Sequence, residues 1–187
     1  MTLADSIARP AQKLLGPWSA TLETRDGVRL NIRPASPDDA QTLIDFFTAV
    51  SPNDLQFRFL SAVARVGETM VRPLVEVDHD STENLLAFDA RTGLLVATAM
   101  IAADPDLSRA EVAIAVRADY RHRGVGWTLL HHAADYAAAR GICRLESIER
   151  CDNRAAISLE REMGFTARIC PGDATLVVVG KDLAGPA

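Results

Sequence analysis

Hydrophobic positions along the chain switch between a period of two and a helical period, and each switch predicts an element. Leu22 and Thr24, a turn at Asp26-Gly27, then alternating Val28, Leu30 and Ile32 predict a β-hairpin. Ser36-Pro37-Asp38-Asp39 predicts a helix start, with Ser36 as cap, Pro37 at the first helical position and two acids at the positive end of the dipole. Ala40, Leu43, Ile44 and Phe47 follow as the buried face of that helix. Ser51-Pro52-Asn53-Asp54 repeats the start signal for a second helix carrying Phe57 and Phe59, and a shorter third helix is expected over Glu68 to Val75.

Strands follow. Leu85 to Phe88 and Leu94 to Ala102 read as an antiparallel pair around Arg91-Thr92-Gly93, and the second is apolar enough to be covered on both faces. Asp104-Pro105-Asp106 turns the chain into a strand over Glu111 to Val116. Val125, Leu129, Ala133 and Tyr136 then recur at helical spacing until Gly141. Ile142 to Ile148 is a strand, and Asn153 to Glu162 a helix burying Ala156, Leu159 and Met163. Phe165 to Ile169 and Thr175 to Val179 close the sheet. This order predicts an α/β (α+β) fold, with a central, mostly antiparallel mixed sheet of about six or seven strands and helices on both faces. Glu111 to Ile148 forms a strand–helix–strand unit, so its two strands should be parallel neighbours. The expected domain spans residues 21–182, after a leader over residues 1–20 in which Pro10, Gly16 and Pro17 interrupt any long helix.

Composition narrows the classes. A length of 187 residues suits one domain with a substantial core. Hydrophobic residues at 48% and charged ones at 24% exclude a disordered chain. A formal charge of −5 argues against a general nucleic-acid binder, which needs a basic face. No apolar run approaches the roughly 20 residues that span a bilayer, so no membrane partner is expected. Met1 to Leu15 carries Asp5 early and lacks the basic start of a signal peptide, which points to a cytoplasmic location. Cys143, Cys151 and Cys170 are odd in number and lack ligand spacing, and are read as reduced thiols. His79, His122, His131 and His132 form no paired-ligand pattern, so no metal is expected.

Candidate chemistry centres on the turn Arg121-His122-Arg123-Gly124-Val125-Gly126, between a buried strand and a helix. Free N–H groups at a helix start and the positive end of its dipole suit an anion. Gly124 and Gly126 allow close approach of a phosphate, and Arg121 and Arg123 add charge; the plain alternative is a glycine turn with solvated arginines. A dinucleotide-binding turn would need a third glycine at Leu129, and the Gly-Lys-Ser/Thr of a nucleotide-binding P-loop is absent.

Val116 followed by Arg121 to Gly126 resembles the R/Q-x-x-G-x-G/A pyrophosphate motif of the GNAT family of N-acetyltransferases. Ile32-Arg33-Pro34-Ala35-Ser36-Pro37-Asp38-Asp39-Ala40 resembles that family's opening strand and helix. Asn153-Arg154-Ala155-Ala156 through Met163-Gly164-Phe165 resembles its closing N-x-x-A…G-F segment. Inside the family, Arg25-Asp26-Gly27, Arg33-Pro34, Leu55-Gln56-Phe57-Arg58-Phe59, Asp104-Pro105-Asp106 and Ala110-Glu111-Val112-Ala113 resemble the catalytic domain of bacterial Pat-type protein-lysine acetyltransferases.

The resemblance implies an acetyl-CoA-dependent N-acetyltransferase acting by direct transfer on an amine, with a protein lysine as acceptor and a monomeric or homodimeric state. It implies that acetyl-CoA lies between splayed strands, held by Ala115, Val116, Arg121, His122, Arg123, Gly124, Val125, Gly126 and Asn153. Glu111 is the implied general base. A small-molecule amine as acceptor, or a non-catalytic acyl-CoA-sensing module, are the alternative readings. Asn153 can serve as helix cap, pantetheine contact or both.

Other positions read more plainly. Glu160 stands where many family members carry a tyrosine that protonates the leaving thiolate. Glu149 is expected to face solvent, His122 to be a solvated loop residue, and Tyr120 to pack at the base of the loop. Trp127 is expected to pack on the helix flank or leader, Phe57 and Phe59 to be core, and Cys143 and Cys151 to pack.

Overall fold

The computed structural model describes residues 18–61, 63 and 65–183 of the chain. The leader expected over residues 1–20 falls mostly outside them. Within them, Trp18 meets the Tyr136 ring edge-on at 5.1 Å, and its carbonyl oxygen lies 3.0 Å from His132 Nε2.

The hairpin at the start consists of β1 (Ala20–Glu23) and β2 (Arg29–Pro34), paired antiparallel. β3 (Thr82–Asp89), β4 (Leu95–Ala103) and β5 (Ala110–Val116) continue antiparallel from β2. β6 (Arg144–Arg150), β7 (Thr166–Cys170) and β8 (Asp173–Asp182) complete one sheet of eight strands in the order β1-β2-β3-β4-β5-β6-β8-β7. The expectation of six or seven strands is corrected to eight, because both arms of the opening hairpin join the sheet. β5 and β6 are parallel neighbours, as a strand–helix–strand unit requires.

The helices α1 (Ala40–Thr48), α2 (Pro52–Phe59) and α3 (Glu68–Val75) lie on one face. α4 (Val125–Ala139) lies on the other, against β4 and β5, and α5 (Arg154–Glu162) follows β6. The strands feed both layers through their period of two. On β3, Leu85 and Ala87 join Leu129, Ala133 and Tyr136 under α4. Leu86 and Phe88 join Leu43, Phe47 and Val71 on the opposite side. Each fully buried leucine or phenylalanine contributes about 2 kcal/mol, so the two layers clamp the sheet in place.

The entry to α1 is fixed by polar contacts. The Asp39 carboxylate accepts hydrogen bonds from Arg33 at 2.6 and 2.8 Å and from the Ser36 N–H at 2.8 Å. Pro37 begins a single 3-10 turn, Pro37–Asp39, ahead of α1. At α2 the Ser51 hydroxyl accepts from the Asp54 N–H at 3.1 Å, as a cap does.

Candidate functional site

The parallel pairing of β5 with β6 covers two registers, Ala110↔Leu145 and Glu111↔Glu146. Beyond Glu111 the two strands part, while β5 stays paired with β4 as far as Val116. The gap becomes a cleft of about 250 Å³. One side is Glu111 to Val116 of β5, the other Ile148 and Glu149 of β6, with Asn153, Ala156, Leu159 and Glu160 of α5 beside them. Phe57 and Arg58 of α2 border it, and the turn into α4 supplies Arg121, His122, Gly124, Val125 and Gly126. Of the residues singled out from the sequence, Glu111, Ala115, Val116, Arg121, His122, Gly124, Val125, Gly126 and Asn153 all line this one cleft; Arg123 is not among its lining residues.

The turn before α4 has a definite local cause. His122 has φ +56° and Gly124 φ +73°, so the chain doubles back sharply into the helix. Gly124 also abuts the hairpin: a β-carbon there would lie 3.1 Å from Thr24 Cβ and 3.3 Å from the Arg25 nitrogen. Its lack of a side chain therefore serves packing against the turn between β1 and β2, and Gly124 also lines the cleft. Gly126 is different. A β-carbon there would meet only Val116 Cγ2 at 3.5 Å and Leu159 Cδ1 at 3.6 Å, the two walls of the cleft. The first-turn N–H groups of α4 lack helical partners, which leaves an anion-seeking end beside Gly126.

The arginines behave differently from one another. Arg121 pairs with Asp54 of α2 at 3.2 Å, tying the turn to α2. Arg123 is exposed and stacks its guanidinium 4.7 Å from the Tyr120 ring. Tyr120 is buried at the base of the loop, as expected, and donates to Asp89 Oδ2 at 2.7 Å. His122 is exposed, also as expected. Arg25 covers the Trp127 ring at 4.2 Å, and Trp127 is half-buried at the edge of the cleft rather than only on the helix flank.

Glu111 is exposed at the point where the strands part. Arg58 lies nearby with its Nε buried and without a hydrogen-bond partner among the described residues. Burial pulls the Arg58 pKa below its usual value, and the Glu111 charge acts against that fall. Phe57 lines the cleft half-buried, which corrects its expected place in the core; Phe59 does pack there, 5.5 Å from Phe47.

The largest departure from expectation is on β6 and α5. Ala156 and Leu159 are only half-buried, because they open on the cleft, and Met163 just past α5 is half-buried as well, whereas Glu160 is buried at 5% exposure. Ser147 Oγ donates to Glu160 Oε1 at 2.5 Å, and Glu160 Oε2 has no partner among the described residues. Burial, reinforced by the neighbouring Glu149 charge and only partly offset by Ser147, pushes the Glu160 pKa up to about 8. Glu149 does not face solvent as expected. It lines the cleft, accepts from Asn153 Nδ2 at 2.6 Å, and burial raises its pKa to about 7. Asn153 meanwhile caps α5 through the Ala156 N–H. Glu149 and Glu160 escaped the sequence reading as a buried pair because a glutamate on a strand or an amphipathic helix normally marks the solvent face.

The cysteines lie outside this chemistry. Cys143 and Cys151 are exposed rather than packed, and Cys170 is free.

The model of the acetyltransferase (GNAT) family matches residues 54–165, the span from the start of α2 to the end of the α5 segment. Among solved structures, the chain is similar to the GNAT domain of S. lividans PAT, with a TM-score of 0.82 and 28% identity over 89% of this chain and 97% of that one. It is also similar to an acetyltransferase of the GNAT family from Streptococcus pneumoniae, with a TM-score of 0.63 and 26% identity over 82% and 99%. Spermidine N-acetyltransferase from Vibrio cholerae, solved with CoA and spermine, shares the fold with a TM-score of 0.67 and 16% identity over 82% and 95%.

Proposed function

This chain belongs to the acetyltransferase (GNAT) family, whose members are acyl-CoA-dependent N-acetyltransferases, and from that premise we propose that it moves an acetyl group from acetyl-CoA to a protein lysine. The observation that carries the reading is the parting of β5 from β6 after Glu111↔Glu146, which opens a cleft with a carboxylate at its apex and a helix N-terminus on its wall.

The residues fit such a donor. Gly126 leaves room at the start of α4, where unpaired N–H groups suit a pyrophosphate. Val112, Ile114, Val116, Ile148 and Leu159 give an apolar lining for the arm, and Asn153 adds an amide. The free edge of β5 offers backbone N–H groups to a thioester oxygen, where negative charge grows during transfer. A lysine amine is almost wholly protonated at neutral pH, so a base must free it before attack. Glu111 is the base in this reading, since it stands in the cleft where the strands diverge. The Pat-like strings at Arg25-Asp26-Gly27, Leu55 to Phe59 and Ala110 to Ala113 support a protein lysine as acceptor. Glu111 in the lining suits a cationic acceptor.

The test is isothermal titration with acetyl-CoA for the wild type and a Gly126→Glu variant, followed by mass spectrometry of lysine peptides and of spermidine incubated with enzyme and donor. Saturable binding, lost in Gly126→Glu, with acetylated peptide is the expected result. A folded wild type that binds no acetyl-CoA overturns the reading. Acetylation of spermidine without peptide would move the acceptor to small amines.

A further inference from the structure

One cation in the cleft has no anionic partner among the described residues. Asp54 and Arg58 of α2 stand four residues apart and both line the cleft. Asp54 meets Arg121 of the turn into α4 at 3.2 Å, so these two charges answer one another at the donor end. Arg58 lies about 6 Å further along the helix, toward Glu111. The Phe59 ring, 5.3 Å from its guanidinium carbon, backs one side of it. Its Nε is buried with no acceptor, and no carboxylate forms an ion pair with it among the described residues.

Glu111 is on the same side of the sheet. By alternation Glu111, Ala113 and Ala115 share one face of β5, and Ala115 packs with the α1–α3 layer, whereas Val112 packs with the layer of α4. The Glu111 charge acts on Arg58 without touching it, and it opposes the fall in pKa that burial causes. A guanidinium kept from water without an acceptor is costly, and an arriving carboxylate would relieve that cost with charge-assisted hydrogen bonds. The donor's phosphates do not serve, because the helix end that suits them is at the other end of α2. A carboxylate and an unanswered cation at one end of the cleft complement a group that carries an amine and a carboxylate together.

We propose that Arg58 is a specificity residue for the acceptor, binding a carboxylate carried beside the reacting amine, so that a lysine with an acidic neighbour is preferred over a polyamine. The proposal rests on the acetyl-transfer reading above. The amine goes to Glu111 and the carboxylate to Arg58, and a second ammonium in place of the carboxylate is repelled. The same chemistry is offered by an aspartate or glutamate flanking a lysine in a peptide and by the α-carboxylate of a free amino acid.

The experiment uses the full chain, acetyl-CoA and lysine peptides that differ only in whether glutamate, glutamine or a second basic residue flanks the acceptor. For the wild type, kcat/KM should favour the glutamate peptide over the glutamine peptide by about tenfold or more, with the basic peptide poorest. Arg58→Met should bring the first ratio to about one. Arg58→Glu should invert the order, whereas a merely damaged fold slows all peptides alike. Free lysine against lysine amide reads the other source: an Arg58-dependent preference confined to free lysine assigns the carboxylate to an amino acid. A wild type indifferent to the carboxylate in both sets overturns the proposal, and that result needs no variant to fold. So does a preference that survives Arg58→Met, or an Arg58-dependent preference for succinyl-CoA over acetyl-CoA, which would put the carboxylate on the acyl group. A wild type that acetylates every peptide at one rate removes the role of Arg58 alone; one that binds no acetyl-CoA removes the transfer reading as well.

Discussion

Gly124 abuts Thr24 so closely that a β-carbon on the glycine would lie 3.1 Å from the threonine Cβ. The contact joins the turn into α4 to the opening hairpin, and it separates two glycines that look equivalent in the sequence. Gly124 has φ +73° and backbone at its side, the Arg25 nitrogen 3.3 Å away, whereas Gly126 faces side chains that leave room.

Gly124→Ala should therefore cost stability. The left-handed conformation alone costs a β-carbon about 1–2 kcal/mol, and the hairpin backbone cannot step aside. A fall in Tm of roughly 2–8 °C in calorimetry is expected for a chain of this size. Gly126→Ala should keep the wild-type Tm and weaken acetyl-CoA by roughly tenfold in titration, about 1.4 kcal/mol, because its methyl group enters the cleft between Val116 and Leu159. Equal loss of Tm in both variants would show that the two glycines share one structural role.

Glu111→Gln isolates the base. β5 runs about 20 Å from Ala110 to Val116, so a change at Glu111 lies far along the strand from the α4 turn. Acetyl-CoA should bind with a Kd within about twofold of the wild type, while transfer to a lysine peptide falls by about 10²–10⁴-fold. Near-normal transfer would remove Glu111 from the mechanism.

The sequence made most of this frame legible, for identifiable reasons. The switch from period two to helical period located α1 through α5, and α3 was expected over the residues it occupies, Glu68–Val75. The turn into α4 was visible because consecutive arginine, histidine and glycine residues interrupt two apolar stretches. What escaped is what depends on a covering element. Glu149 on β6 is expected to face solvent and nothing in the sequence marks Glu160 as buried; only the fold of α5 against the parted strands turns both toward the cleft. Phe57 misled in the opposite sense. An aromatic residue on an amphipathic helix signals core, yet α2 directs it to the edge of the cleft. Neither error arises from propensity; both arise because a single strand or helix cannot report what lies opposite.

Asp39 should carry part of the acid stability of the fold. Burial by itself raises its pKa, but the hydrogen bonds from Arg33 and Ser36 outweigh that and hold it below the usual carboxylate range. A depressed folded pKa means that its contribution is present above the unfolded value of about 3.9 and is lost as pH falls through the lower folded value. Asp39→Asn leaves Arg33 buried without its partner and should cost about 3–5 kcal/mol at neutral pH in urea titrations. The gap between variant and wild type should narrow below about pH 4. A gap constant with pH would show that the aspartate side chain acts by shape alone.

Glu160 has the opposite sign, and its stability test is independent of any activity. Its folded pKa of about 8 lies above the unfolded value of about 4.3, so the protonated acid favours folding fully below about pH 4. That favour is lost as pH rises to about 8, at up to about 1.4 kcal/mol per pH unit, and stays lost beyond it. Gln at this position does not titrate and still accepts from Ser147, although its amide leaves one buried donor unpaired at a cost of about 1–3 kcal/mol. The stability of Glu160→Gln relative to wild type should therefore climb between about pH 4 and about pH 8 and then level off, as read from urea midpoints across that range. At alkaline pH the variant should be the more stable protein. A relative stability that does not change across the range would mean that Glu160 is already ionised in the folded chain at neutral pH.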